Sequence, residues 1–195
     1  MLLLLPVIAQ AAEPAPMTLV RQTTEQMLAA LDKERDEIDS KPEKLYELVD
    51  RIVLPHFDFE RMSKLVLGKY WRKASTVQRS RFTDEFRNLL VRTYATSMKE
   101  YSDQKITYLP FDMKPTDTDV TVKTEVEQNS GFPVPIDYVM YLKNGEWKVY
   151  EVVIDGVNLV INYRTSFASE IAKPGGLDGL IDTMSKRNRQ AMHES

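Results

Sequence analysis

The chain has 195 residues, of which 43% are hydrophobic and 28% charged; that balance excludes general disorder and suits one domain able to enclose a cavity. A net charge of −3 makes nucleic acid a poor partner. With no cysteine, disulfides, thiol catalysis and thiolate metal sites are all excluded.

The N-terminus opens on Met1-Leu-Leu-Leu-Leu-Pro-Val-Ile-Ala-Gln10, followed by Ala11. About eight apolar residues are too few to cross a bilayer, which needs roughly 20, but they fit the apolar region of a secretory signal. Ala9-Gln10-Ala11 is a small-x-small cleavage pattern. No Lys or Arg precedes the run, so the basic segment expected of a signal is missing. Residues 1–16 are read as signal peptide and loose mature start, 17–190 as a single domain, and 191–195 as a tail. The polar stretch after Lys186 is read as frayed.

Helices come first. Leu19, Val20, Met27, Leu28, Leu31 and Ile38 recur at helical spacing, and Leu45, Leu48, Val49, Ile52 and Val53 do so between Pro42 and Pro55. Phe59, Met62, Leu65 and Val66 form a third stripe that Gly68 stops. Ser75-Thr-Val-Gln78 is a capping box, and the long helix it opens carries Phe82, Phe86, Leu89, Leu90, Tyr94 and Tyr101.

The period then changes to two. Four strands are predicted, at 105–109, 120–126, 136–142 and 147–154. Asn144-Gly145 marks a tight hairpin between the last two, and Asp155-Gly156 ends the sheet. Val157, Val160, Ile161, Arg164, Ala168 and Ile171 lie on one face of a further helix. Pro174-Gly-Gly176 breaks it, and Leu177, Leu180, Ile181 and Met184 stripe the last one. The fold class is α+β: a four-stranded curled antiparallel sheet covered by about six to seven helices.

Catalytic motifs are nearly absent. His56 and His193 are the two histidines, one in a loop and one in the tail. HExxH, a glycine-rich phosphate loop and a Gly-x-Ser-x-Gly elbow are all missing. Asp117 and Asp119 fall in a turn, where Asp is common for conformational reasons. Two features stand out. The sheet is rich in Val, Ile, Tyr and Met, which fits a filled core or a hollow one equally. Residues 61–83 hold seven bases and no acid, whereas 32–60 hold ten acids and five bases. The basic stretch, with Lys69, Arg72 and Lys73 at its centre, is either a solvated face or a docking surface for an acidic partner or anionic headgroups.

The segment Tyr150-Glu-Val-Val-Ile-Asp-Gly-Val-Asn-Leu-Val-Ile-Asn-Tyr-Arg-Thr-Ser-Phe167, preceded by Trp147-Lys-Val149, resembles the signature of the MlaC family, periplasmic phospholipid carriers also called toluene-tolerance proteins. The long helix with Phe82, Glu85-Phe86, Leu89-Leu90 and Tyr94 is similar to the family's, as is Val122-Lys-Thr-Glu-Val126. The likeness spans roughly residues 18–185. Asn158 stands where many relatives have Ser, and Glu151 where many have Asp.

The resemblance implies an apolar cavity between sheet and helices that holds acyl chains as cargo, with no cofactor, no metal and no catalytic residue. It implies a monomer that shuttles phospholipid across the periplasm, maintaining outer-membrane lipid asymmetry. Its partners would be an outer-membrane MlaA-type lipoprotein with porin and an inner-membrane MlaFEDB-type ABC transporter complex. With the periodicity, it points to Phe86, Leu90, Tyr94, Val122, Tyr138, Val149, Val160, Tyr163 and Phe167 as the lipid-contacting wall. Two other readings stay open: an isomerase-type enzyme in an NTF2-like cone, and a lipid-free interaction protein with a filled core. Asp137 and Tyr138, the acid–phenol pair such an enzyme would need, are neighbours on one strand and so point to opposite faces.

Overall fold

The computed structural model describes residues 13–100, 104–128 and 131–193. Along these the order is α1 (Ala15–Lys33), α2 (Arg35–Ser40), α3 (Glu43–Ile52), a 3₁₀ turn (Leu54–His56), α4 (Phe59–Leu67), α5 (Lys69–Lys73) and α6 (Thr76–Glu100). Strands β1 (Ile106–Tyr108), β2 (Asp119–Val126), β3 (Val134–Lys143), β4 (Glu146–Ile154) and β5 (Val157–Asn158) follow, then α7 (Leu159–Ile171) and α8 (Gly176–His193). The signal-peptide reading of residues 1–12 lies outside the described residues. Ala15 and Pro16, read as part of a loose start, form the first turn of α1, where Pro lacks only an N–H that has no helical partner. At the other end α8 continues past Lys186, because Asn188 is buried and donates to the Glu85 carboxylate at 2.7 Å. No described helix is long and apolar enough to cross a membrane.

The sheet is an antiparallel meander in sequence order, with five strands rather than four. Asn144 and Gly145 take φ of 52° and 87°, the left-handed pair that a two-residue hairpin requires, and Lys143 faces Glu146 across it. Asp155 and Gly156 do the same at 49° and 75°, pairing Ile154 with Val157. That second Asx-Gly turn does not end the sheet; it adds a short fifth strand. Asn158 then caps α7, accepting from the Ile161 N–H at 3.0 Å. This start buries Val160 and Ile171 of the face that the sequence pattern favours, but leaves Val157 and Ile161 exposed and buries Leu159 and Phe167 in their place. The helix count rises to eight α-helices among the described residues, because α2 restarts after Glu34 and α5 follows Gly68.

A bulge sits in β4. Val139 pairs with Glu151 but Met140 with Val149, so Tyr150 is the extra residue. Strict alternation would put Val149 and Val152 on opposite faces; the bulge lets both be buried in the same apolar cluster.

Three apolar clusters result. The first is helical, from Met62, Val66 and Trp71 through Phe82 and Phe86 to Phe167 and Ile181. The second lies on the sheet's inner face, where Val122, Met140, Val149 and Val152 meet Met17, Val20 and Leu159. The third packs α1, α2 and α3 against Ala95 of α6. Helix α6 touches all three through Phe86, Tyr94 and Ala95. Its N-terminus is fixed by the reciprocal capping box: the Gln78 N–H donates to Ser75 Oγ at 3.1 Å, and the Ser75 N–H to Gln78 Oε1 at 2.9 Å.

Candidate functional site

The nine wall residues divide between two clusters. Phe86, Leu90, Val160 and Phe167 are buried in the helical one, and Val122 and Val149 in the sheet one, with Tyr138 packed against them. Tyr94 and Tyr163 pack against both. So does Phe57, which the sequence reading missed because it lies just before α4, outside any periodic stripe. These three rings mark the seam where the helical layer meets the sheet. Beside it the aromatic rings interlock edge to face: Phe86 to Tyr163 at 5.3 Å, Phe86 to Phe167 at 6.0 Å and Phe82 to Phe167 at 5.8 Å.

The seam is apolar and uncharged. Burial pushes the Tyr138 phenol up to about 12, with the Thr124 hydroxyl beside it acting in the opposite direction. Burial, aided by the neighbouring Tyr163 hydroxyl, pushes Tyr94 up to about 12 as well. Both phenols are therefore neutral at physiological pH and offer hydrogen bonds, not charge. Asp137 lies on the other side of its strand, 3.8 Å from Lys123, and cannot serve Tyr138 as an acid or base. No cluster of three or more potential metal-binding side chains occurs among the described residues. An apolar lining of this kind favours hydrocarbon over water: each methylene kept from water is worth about 0.8 kcal/mol.

A cleft of about 490 Å³, which shares Phe57 with the seam, opens at the surface between the start of α4 and the β3–β4 hairpin and is otherwise lined by Asp58, Phe59, Glu60, Lys143, Asn144, Glu146 and Lys148. It is polar and contains none of the nine wall residues.

Much of the basic stretch is committed internally. Arg61 is sandwiched between the rings of Tyr141 and Tyr150, 3.8 Å from each centroid. Arg79 donates to the Trp71 carbonyl at 2.9 Å, and Arg81 pairs with Asp182 at 2.8 Å. Lys69, Arg72 and Lys73 are exposed, as is Lys64, and no described residue supplies an acid to pair with them. Arg164 lies over Gly68 at the α4–α5 junction and extends the same face.

The model of the MlaC protein family matches residues 21–186. The chain belongs to the MlaC family. The toluene tolerance protein ttg2D of Pseudomonas putida is 33% identical over 180 residues, which span 91% of this chain and 82% of that protein. The intermembrane phospholipid transport system binding protein MlaC of Haemophilus influenzae is 27% identical over 182 residues, 92% of this chain and 85% of that protein. A phospholipid-binding protein from Ralstonia solanacearum, solved in complex with a phospholipid, superimposes with a TM-score of 0.83 at 33% identity, over 91% of this chain and 99% of that one. The α+β fold with its helix-covered antiparallel sheet is thus the family's fold.

Proposed function

We propose that this chain is a phospholipid carrier of an intermembrane transport system, binding acyl chains where the helical and sheet clusters meet and catalysing no covalent step. The observation that carries the reading is the seam of Phe57, Tyr94 and Tyr163, in a fold shared with a protein solved around a phospholipid. Two sixteen-carbon chains represent on the order of 25 kcal/mol of hydrophobic free energy, so a carrier must match a bilayer's interior nearly methylene for methylene. The nine wall residues supply such contacts, with tyrosine hydroxyls as their polar groups. The chain works in the periplasm, between an outer-membrane MlaA-type lipoprotein–porin complex and an inner-membrane MlaFEDB-type transporter. Lys69, Arg72 and Lys73 belong to the docking face.

Chloroform extraction of the purified protein should yield phospholipid in near-stoichiometric amount. Val160→Trp, which enlarges a wall side chain, should lower that yield while a cooperative melting transition persists. Protein that purifies lipid-free and takes up none from vesicles would overturn the carrier reading. In that case Val160→Trp acts as overpacking of a solid core, at a cost of about 1–3 kcal/mol.

A further inference from the structure

We propose that the neighbouring hydroxyls of Tyr94 and Tyr163 donate a hydrogen bond to an ester carbonyl of the cargo, so that the protein selects ester-linked over ether-linked glycerophospholipids. The inference rests on the carrier reading and goes one step further, to the chemical group recognised inside the seam.

Three rings bridge the two clusters, and two of them carry a hydroxyl. Exposure along the α6 stripe rises towards that point: Phe86 is fully buried, Leu90 is 9% exposed, and Tyr94 is half-buried. On α7 the half-buried Tyr163 lies between the buried Val160 and Phe167. The two phenols therefore stand between a hydrocarbon interior and solvent. In a diacyl phospholipid the ester carbonyls occupy the same level, between the chains and the headgroup.

The hydrogen-bond inventory fits too. The Tyr163 ring is fixed by edge contact with Phe86 at 5.3 Å and by Phe167 at 5.4 Å, and its hydroxyl is the polar neighbour of Tyr94. A pair of neighbouring phenols holds two protons and can satisfy at most one of them within the pair, leaving one donor over. Acyl chains entering the seam would keep water from that donor, and an unmet donor carries its full desolvation cost. An ester carbonyl accepts without donating, which is the group the pair lacks. An ether-linked lipid of the same chains and headgroup has no such acceptor. Tyr138 is placed differently: it lies on the sheet wall, and its hydroxyl has Thr124 beside it.

The test is a competition. Delipidated full-length protein is offered vesicles of equal diester and diether phosphatidylcholine with identical saturated chains, and the bound lipids are counted by mass spectrometry. The wild type should enrich the diester by up to about tenfold, the upper value of one such hydrogen bond. Tyr94→Phe and Tyr163→Phe each still leave one phenol proton free to donate and should keep most of that preference, whereas the double variant should lose nearly all of it. Equal uptake of both lipids by the wild type overturns the inference and leaves the carrier reading standing, as does undiminished preference in the double variant. Uptake of neither lipid overturns the carrier reading and this inference with it.

Discussion

Asp58 joins helix α4 to the sheet. Its side chain is 5% exposed, yet it accepts the Arg61 N–H at 2.9 Å as an N-cap, the Lys143 ammonium at 2.7 Å and the Tyr141 hydroxyl. Its own N–H donates to the Val149 carbonyl at 2.9 Å, beside the β4 bulge. Burial alone would raise the Asp58 pKa, but the hydrogen bonds from Lys143, Tyr141 and the Arg61 backbone outweigh it and hold the carboxyl below its ordinary value of 3.8. A carboxyl depressed in the folded state contributes stability above its unfolded pKa and loses it as pH falls through the folded one. Asp58→Ala, which strands three donors, should therefore cost about 1–3 kcal/mol at neutral pH, read from the urea midpoint. That gap should narrow as the pH is taken below about 4. A gap that stays constant down to the acid transition would show that packing, not the ionised carboxylate, is responsible.

At the scale of elements, the turns decide where α7 begins and thus where Tyr163 points. Gly156 takes φ of 75°, and a Cβ there would meet nothing within 4 Å. Gly156→Ala therefore tests conformation alone. It should cost about 1–2 kcal/mol, the penalty for an L-residue in the left-handed region, seen as a lower melting temperature. A neutral substitution would mean that the β5 turn relaxes without consequence. The elements themselves were largely legible. The α6 stripe keeps one period from Phe82 to Tyr94 without a Gly or Pro, and Asn144-Gly145 announces its hairpin by chemistry that few other pairs possess. The β4 bulge was not legible, because Val149 and Val152 sit three apart and only the pairing with Val139 and Met140 shows which residue is extra. The same limit applied to the site. Seven of the nine wall residues read as inward from their own elements, whereas Tyr163 and Phe167 fall off the α7 face that the sequence pattern favours, and that Tyr94 and Tyr163 straddle two clusters is a fact of packing. Phe57 has no periodic neighbour to give it away.

Over the whole molecule, a net charge of −3 conceals a segregated surface. Arg61, Arg79 and Arg81 are spent on ring faces, a carbonyl and Asp182, so the sequence count of seven bases overstates the available field. What remains is Lys64, Lys69, Arg72 and Lys73, with Arg164 against Gly68. Exposed charges of one sign raise association rates with an oppositely charged partner and contribute less to the affinity of the docked complex. Their influence reaches about 10 Å at 0.1 M salt and about 30 Å at 0.01 M. Reversing Lys69, Arg72 and Lys73 to Glu should therefore slow lipid transfer to an acidic partner complex by about tenfold or more at low ionic strength, with the difference closing as salt is raised. These side chains are exposed and contact none of the nine wall residues through any ion pair or hydrogen bond, so melting temperature and bound lipid should stay as in the wild type. The discriminating measurement is the salt dependence of the transfer rate. Equal rates for the two proteins at low salt would reduce this face to ordinary solvated charge. A deficit that persisted unchanged at high salt would point to direct contacts in the docked complex, not long-range attraction.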